Sequence, residues 1–313
     1  MGLQTEKTHT AAAGLDLLGG VEILTVMYDA QIAAAKVVSA AIPALEAGAT
    51  AMADAIKSGG NIVYGAAGSS GLACLADGLE IPPTFGVPAT RIHILRAGGF
   101  DNMTVPKEGA EDDADAARAA AQVIGPKDCV ICIAASGNTI YPNVIIDIAR
   151  ELGATTVGIA NNPGTKLIAG SDIPILLNTP PEVIAGSTRL GAGTAQKIAL
   201  NMMSSLMGVK LGHVVDGLMV NVATSNIKLK KRAEGIVMQI AGCDADTAHK
   251  NLKRADWGVK EAILITCGAK DRDDASIYLD LADQNLRSAM SLVASGDIHD
   301  ENRANAHNMG EVL

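Results

Sequence analysis

The sequence predicts an α/β fold with a doubly wound, five-stranded parallel sheet. Short β-branched runs alternate with helical patterns through the middle of the chain, and Gly/Ser-rich loops follow two of these runs. The chain of 313 residues is 48% apolar, which is enough for a substantial buried core. The predicted strands are Asn61–Tyr64, Arg91–Leu95, Cys129–Ala134, Thr155–Ala160 and Ile173–Leu177.

Helical patterns precede and follow the predicted strands. Apolar residues at helical spacing predict one or two helices over residues 20–57, broken only at Pro43. A long helix is predicted over 193–211, and shorter ones over 228–241, 246–254 and 259–266, with Asp244 as an N-cap. We therefore expect four parts: an N-terminal helical segment (1–58), an α/β domain (59–225), a compact three-helix C-terminal module (226–292) and a loosely ordered polar tail (293–313).

Composition excludes several classes of partner. Aromatic residues make up 2% of the chain, and the formal net charge is −9, so neither base stacking nor phosphate neutralisation favours a nucleic acid. Residues 1–11 are polar and lack the apolar region of a signal peptide, and no apolar run reaches about 18 residues. We therefore expect a cytoplasmic protein that has no membrane partner and acts on a small metabolite.

Cysteine and histidine positions favour structural roles. The five cysteines are an odd number without a disulfide-like framework, as is typical of a reducing compartment. Cys129 and Cys132 form a CxxC, but they lie in an apolar run and point to opposite faces of the predicted strand, which indicates core residues. The six histidines show no ligand spacing, so we expect no metal and no cofactor. His213 is interpreted as a helix-end or interface residue.

Two loops are candidates for binding a phosphate. Residues 65–71 and 135–139 each follow a predicted strand and open a helix, whose first N–H groups favour an anion. Their glycine spacing differs from the dinucleotide fingerprint, and no Gly-Lys-Ser/Thr of a P-loop is present. Hydroxyl-rich loops without a lysine suit a phosphate monoester on a sugar. The candidate phosphate ligands are Ser69, Ser70, Gly71, Ser136, Gly137, Asn138 and Thr139.

Eight segments carry a resemblance to a known family. They are Gly68–Gly71, Asp77–Gly86, Glu108–Asp112, Ala135–Thr139, Asn161–Gly164, Glu182–Arg189, Ala192–Lys197 and Leu218–Val220. With them the chain resembles the SIS (sugar isomerase) fold and, within it, the N-acetylmuramic acid 6-phosphate etherases, over roughly residues 15 to 290. The group includes a non-catalytic relative, the glucokinase regulatory protein, so the fold alone does not establish catalysis.

The resemblance implies a pair of catalytic carboxylates. Glu80 and Glu111 match the family's proposed acid and base, with Glu80 the acid towards the ether oxygen and Glu111 the base. Elimination of the C3 lactyl ether needs one group to remove the C2 proton and another to protonate the leaving oxygen, before water adds. Glu182 and Ser187, in another matching segment, are implied to bind substrate.

The residues themselves leave room for a simpler role of one carboxylate. Glu111 lies near the start of a predicted helix running to about residue 123. Its simpler role would be to stabilise that helix, as a negative charge at the positive end of the helix dipole. Glu80 is predicted at the C-terminal end of a short helix, where a negative charge is disfavoured, and this favours a functional role. The resemblance also implies a homodimer, for which the N-terminal helix and the helix after Gly193 are the interface candidates.

The chain departs from the etherase pattern at three cationic positions. Leu72 and Asn138 stand where the family has Arg, and Gly191 stands where it has Lys. Further differences are His213, Val215, Asp216, Gly217 and Asn221. Three hypotheses therefore remain: a lyase for the lactyl ether of N-acetylmuramic acid 6-phosphate or a related phosphosugar, a phosphosugar isomerase, and a non-catalytic sugar-phosphate sensor. The two carboxylates favour an enzyme, and the missing cations leave room for the sensor.

Overall fold

The computed structural model of the chain describes residues 2–100 and 107–296. They form two compact units. Of the described residues, the α/β unit comprises those up to Glu80 and those between Pro88 and Met207, and the helical unit comprises Ile81–Val87 together with residues 208–296. The domain limits at residues 58, 225 and 292 stay predictions. The greater part of the predicted polar tail, residues 297–313, lies outside the described residues.

The α/β unit contains the predicted five-stranded sheet, and every strand pair is parallel. The spatial order is β2-β1-β3-β4-β5, and the central strands β1 and β3 are buried along their whole length because helices cover both faces. All five predicted strands are confirmed, with ends shifted by at most two residues. The strands are β1 (Ile62–Ala66), β2 (Ile92–Arg96), β3 (Cys129–Ala134), β4 (Thr155–Ala160) and β5 (Ile173–Leu176).

The predicted N-terminal helices are confirmed. A 3-10 turn at Val37–Ala41 separates α1 from α2, and Pro43 lies in the first turn of α2, where its missing N–H costs nothing. The long helix begins at Gly191, two residues earlier than predicted. The helices up to this point are α1 (Gly20–Lys36), α2 (Ile42–Lys57), α3 (Gly68–Gly78), α4 (Ile81–Phe85), α5 (Ala114–Ala120), α6 (Ile140–Glu151), α7 (Lys166–Gly170) and α8 (Gly191–Lys210).

The continuous helical stretch Gly20–Lys57 is more apolar than expected. By length and composition it is the one described helix that could cross a membrane, with a mean hydropathy of 1.4 and 33% of the most apolar window buried. The expectation that no apolar segment reaches this length is therefore wrong. The many alanines of this stretch raise its mean hydropathy, even though charged residues interrupt it.

The helical unit has more helices than predicted. Asp244 is confirmed as an N-cap, since it accepts a hydrogen bond from the Thr247 N–H at 2.8 Å. Two helices beyond the predicted three begin directly after Asp271 and Asn285, whose side chains act as N-caps. The elements are β6 (Val214–Val215) and β7 (Leu218–Met219), then α9 (Ile227–Ala241), α10 (Ala245–Arg254), α11 (Val259–Cys267), α12 (Arg272–Leu281) and α13 (Leu286–Ser295).

Candidate active site

The two Gly/Ser-rich loops lie side by side at the carboxyl edge of the sheet. Strands β1 and β3 are neighbours, with Ala66 paired to Ile133, so the loops that follow them emerge together. Between the loops is a cavity of about 320 Å³, here called the hydroxyl cavity. The predicted ligands that line it are Ser69, Ser70, Ser136 and Thr139, together with Glu111.

The first loop leaves helix α3 without a side-chain cap. Gly68 adopts a positive φ of 54°, and Ala67, at the N-cap position, has no side chain that could accept a hydrogen bond. The first N–H groups of this 11-residue helix therefore remain for an anion. Ser70 is buried, and Gly71 lies in the first turn of the helix rather than on the wall of the hydroxyl cavity.

The second loop is held by its own hydrogen bonds and by α7. The hydroxyl oxygens of Ser136 and Thr139 are 3.2 Å apart. Gly137 has a φ of +74°, and a Cβ there would come within 2.2 Å of Thr165 Oγ1, so only glycine fits. The Asn138 side chain accepts from the Lys166 N–H and does not line the hydroxyl cavity.

Glu111 lies outside the helix that was predicted to contain it. It belongs to a 3-10 turn at Ala110–Asp112, and helix α5 begins at residue 114 with Asp113 as its N-cap. The Asp113 carboxylate accepts the Ala116 N–H, so the N-terminal end of α5 already has its negative partner. A purely dipole-related role for Glu111 therefore loses its support, and the side chain lines the hydroxyl cavity instead.

Three other predicted residues do not line the hydroxyl cavity. Glu80 is exposed and follows the end of α3 by two residues. Glu182 is 4% exposed and accepts the N–H groups of Gly191 and Ala192 at 2.9 and 2.8 Å, which caps α8. Ser187 is half-buried in the loop before α8. The catalytic role of Glu80 and the substrate-binding roles of Glu182 and Ser187 stay predictions.

An N-terminal segment that the sequence did not single out forms part of the site. We call Gln4–Glu6 the N-terminal strap. Asn162 Oδ1 accepts the N–H groups of Gln4 and Thr5 at 2.5 and 3.4 Å. Its Nδ2 donates to Thr5 Oγ1 at 3.2 Å and to the carbonyl of Ala135, at the start of the second loop, at 2.8 Å. Asn162 therefore ties the strap to that loop.

The strap also adds two side chains to the hydroxyl cavity. Thr5 is 1% exposed, and its carbonyl accepts the N–H of Gly186 at 3.1 Å. Thr5 and Glu6 both line the cavity. The strap has no periodicity and is 157 to 158 residues from Asn162, so local patterns carry no signal for it. The only hint was that Asn162 falls in one of the segments that resemble the etherases.

The cysteines have the environment predicted for core residues. Cys129 and Cys132 are fully buried free thiols, and burial, with a smaller contribution from Asp128, raises the pKa of Cys129 to about 12. Burial likewise raises the pKa of Cys132 well above its usual value, so both stay protonated. Over residues 2–100 and 107–296, no group of three or more His, Cys, Asp or Glu side chains is placed to hold a metal ion.

The fold and the paired loops define a protein with an SIS domain, whose family model matches residues 100–206. A phosphoheptose isomerase structure from Francisella tularensis is 18% identical, with a TM-score of 0.48 over 61% of this chain and 100% of that one. An N-acetylmuramic acid 6-phosphate etherase from Deinococcus radiodurans is 44% identical over 84% of this chain and 87% of its own length. One from Burkholderia lata is 38% identical over 93% and 97%. The chain belongs to the N-acetylmuramic acid 6-phosphate etherase family.

Proposed function

We propose that this chain is a carbon–oxygen lyase that cleaves the lactyl ether of N-acetylmuramic acid 6-phosphate. The names of its relatives support the substrate class. The observation that carries the proposal is the position of Glu111, which lines the same cavity as the four hydroxyl side chains of the two loops. A carboxylate beside an anion site is what proton abstraction from a bound sugar phosphate requires.

The reaction uses these groups in order. The hydroxyls of the loops and the free N–H groups of α3 hold the 6-phosphate. Glu111 removes the C2 proton, and the C3–O bond breaks as the lactyl oxygen takes a proton from an acid, the role that the resemblance gives to Glu80. Water then adds across the C2–C3 double bond. The products are N-acetylglucosamine 6-phosphate and D-lactate.

Incubation of the purified protein with N-acetylmuramic acid 6-phosphate in D₂O tests this proposal. The wild type should release D-lactate and incorporate deuterium at C2. Glu111→Gln should lose both, whereas Glu80→Gln should keep C2 exchange and lose release. Glu151→Gln, an exposed position at the end of α6, is the matched control. Lactate release that persists in Glu111→Gln would refute the assigned base.

Two further outcomes correspond to the alternative functions. Deuterium incorporation at C2 without loss of the lactyl group would favour a phosphosugar isomerase. Binding across a set of sugar phosphates without any turnover would favour a sensor. In either case the proposed lyase activity fails.

We also propose a cytoplasmic homodimer. Val21, Leu24, Tyr28 and Ile32 are 80, 67, 64 and 40% exposed, and their spacing places them on one face of α1. An exposed apolar stripe of this kind is buried when it packs against the same stripe on α1 of a second copy of the chain. On α8, the second predicted interface helix, Met202 is also exposed. The five cysteines are free, as is typical of a reducing compartment.

Sedimentation of the wild type and of Leu24→Glu tests the dimer. The wild type should sediment as a dimer, and the variant as a folded monomer. Glu46→Gln, a substitution on α2, controls for an unspecific effect of changing a helix charge. A monomeric wild type that binds phospholipid vesicles through the same stripe would contradict both the interface and the absence of a membrane partner.

A further inference from the structure

A second cavity adjoins the hydroxyl cavity and differs from it in charge. It measures about 250 Å³, and Ala67, Gly68 and Glu111 line both cavities. Its remaining wall includes Arg96 and Lys107, and we call it the cationic cavity. The described residues that line the hydroxyl cavity include no lysine or arginine. The positive charge next to Glu111 therefore lies on the side of the cationic cavity.

Arg96 is held at this position by the sheet and by the first loop. It is the last residue of β2 and pairs with Ala66, the last residue of β1. Its aliphatic stem packs on Gly71, where a Cβ would approach Arg96 Cγ to 3.2 Å. A side chain at residue 71 would therefore crowd the stem of Arg96 and shift it slightly, which gives that glycine a role other than direct phosphate binding.

One N–H group of the Arg96 guanidinium has no hydrogen-bond acceptor among the described residues. Nη1 donates to the Gly99 carbonyl at 2.7 Å. Nε is buried, and the described part of the chain offers it no acceptor. A buried donor without an acceptor is unfavourable, and a guanidinium matches the geometry of a carboxylate or phosphate. Arg96 lines the cationic cavity, so its guanidinium is available there to an anionic ligand group.

We propose that Arg96, together with Lys107, binds the carboxylate of the lactyl group. The inference rests on the proposed function, because that substrate carries two anionic groups and the hydroxyl cavity accounts for only one. Glu111 lines both cavities, as expected of a base that acts on C2, next to the carbon that bears the lactyl ether. The two cations also offset the repulsion between the Glu111 carboxylate and the lactyl carboxylate.

The test compares N-acetylmuramic acid 6-phosphate with its uncharged lactyl amide in the intact enzyme. Arg96→Met should lower kcat/KM for the acid by about 10- to 100-fold, mainly through KM, and lower it for the amide by less than about threefold. Arg96→Lys should recover part of the loss, since it restores charge without the paired donors. Arg150→Met, at an exposed position in α6, is the matched control.

Binding of N-acetylglucosamine 6-phosphate, which has the phosphate but no lactyl group, provides the second measurement. Calorimetry should give the same Kd for the wild type and Arg96→Met, which also shows that the variant is folded. An equal loss for acid and amide would overturn the subsite, and weaker binding of N-acetylglucosamine 6-phosphate would assign Arg96 to the phosphate instead.

These outcomes are distinct from failure of the lyase activity. A wild type that releases no lactate, yet prefers the acid over the amide in an Arg96-dependent way, would remove the proposed function and keep the subsite. The reverse outcome is a wild type that releases lactate and an Arg96→Met variant that lowers kcat/KM equally for the acid and the amide. It would keep the proposed function and remove the subsite. A protein that binds neither compound overturns both.

Discussion

The hydrogen bonds of Asn162 predict that one side chain controls the N-terminal wall of the hydroxyl cavity. Asn162→Ala removes the three hydrogen bonds that hold Gln4 and Thr5. At about 0.5–1.5 kcal/mol each, their loss weakens docking of the strap by about 1.5–4.5 kcal/mol. Since about 1.4 kcal/mol is a factor of ten, the docked population relative to the undocked one falls at least tenfold. The Gly186 N–H to Thr5 carbonyl bond remains and limits the loss.

Hydrogen exchange measures this effect directly. The amides of Gln4 and Thr5 should exchange at least tenfold faster in Asn162→Ala than in the wild type, and KM for the sugar phosphate should rise. Asn162→Asp keeps the acceptor for both amides and loses the donor, so its exchange rates should fall between the two. Asn285→Ala is the matched control, because that side chain caps α13 in the other unit. Unchanged exchange at Gln4 and Thr5 in Asn162→Ala would refute the reasoning.

Three more substitutions test other parts of the structure. Gly137→Ala should destabilise the second loop and reduce phosphosugar affinity at least tenfold in calorimetry, because its Cβ would collide with the Thr165 hydroxyl; unchanged affinity would contradict this. Asp77→Ala should lower the free energy of unfolding in urea by about 3–5 kcal/mol, since the buried carboxylate accepts three side-chain hydrogen bonds; a loss below about 1 kcal/mol would count against it. Burial lowers the pKa of Lys260 from 10.5 to about 8, so the unfolded state binds more protons between these values. The wild type should therefore gain up to about 3 kcal/mol from pH 8 to 10.5 relative to Lys260→Met, and equal slopes would disprove this.

The fold could be predicted from the sequence because its signals are local. The run Cys129–Ala134 is apolar at every position, since β3 is covered on both faces, and that pattern needs no knowledge of its neighbours. Asp244 was recognisable as an N-cap from its position before a helical pattern. The missed helices α12 and α13 carry the same kind of signal, at Asp271 and Asn285, and a consistent search for caps would have found them.

The candidate site could be predicted only in part. The loops after β1 and β3 were identified because small and hydroxyl-bearing residues after a strand are a local pattern. The position of Glu111 beside them required the fold, because the 3-10 turn that places it breaks the predicted helix. For Glu182 the structure adds a contact that the sequence did not indicate. A carboxylate in a matching segment suggested substrate binding, and the structure gives it the two N–H groups that begin α8.

The sequence by itself determined the parallel sheet and the two hydroxyl-rich loops, because burial periodicity and loop chemistry are readable along the chain. Only the tertiary structure decided which charges meet at the site. Arg96 lines the cationic cavity because β2 pairs with β1, and Thr5 lines the hydroxyl cavity because Asn162 binds it from far along the chain. Contacts between distant segments depend on how the elements pack, and no local pattern records them.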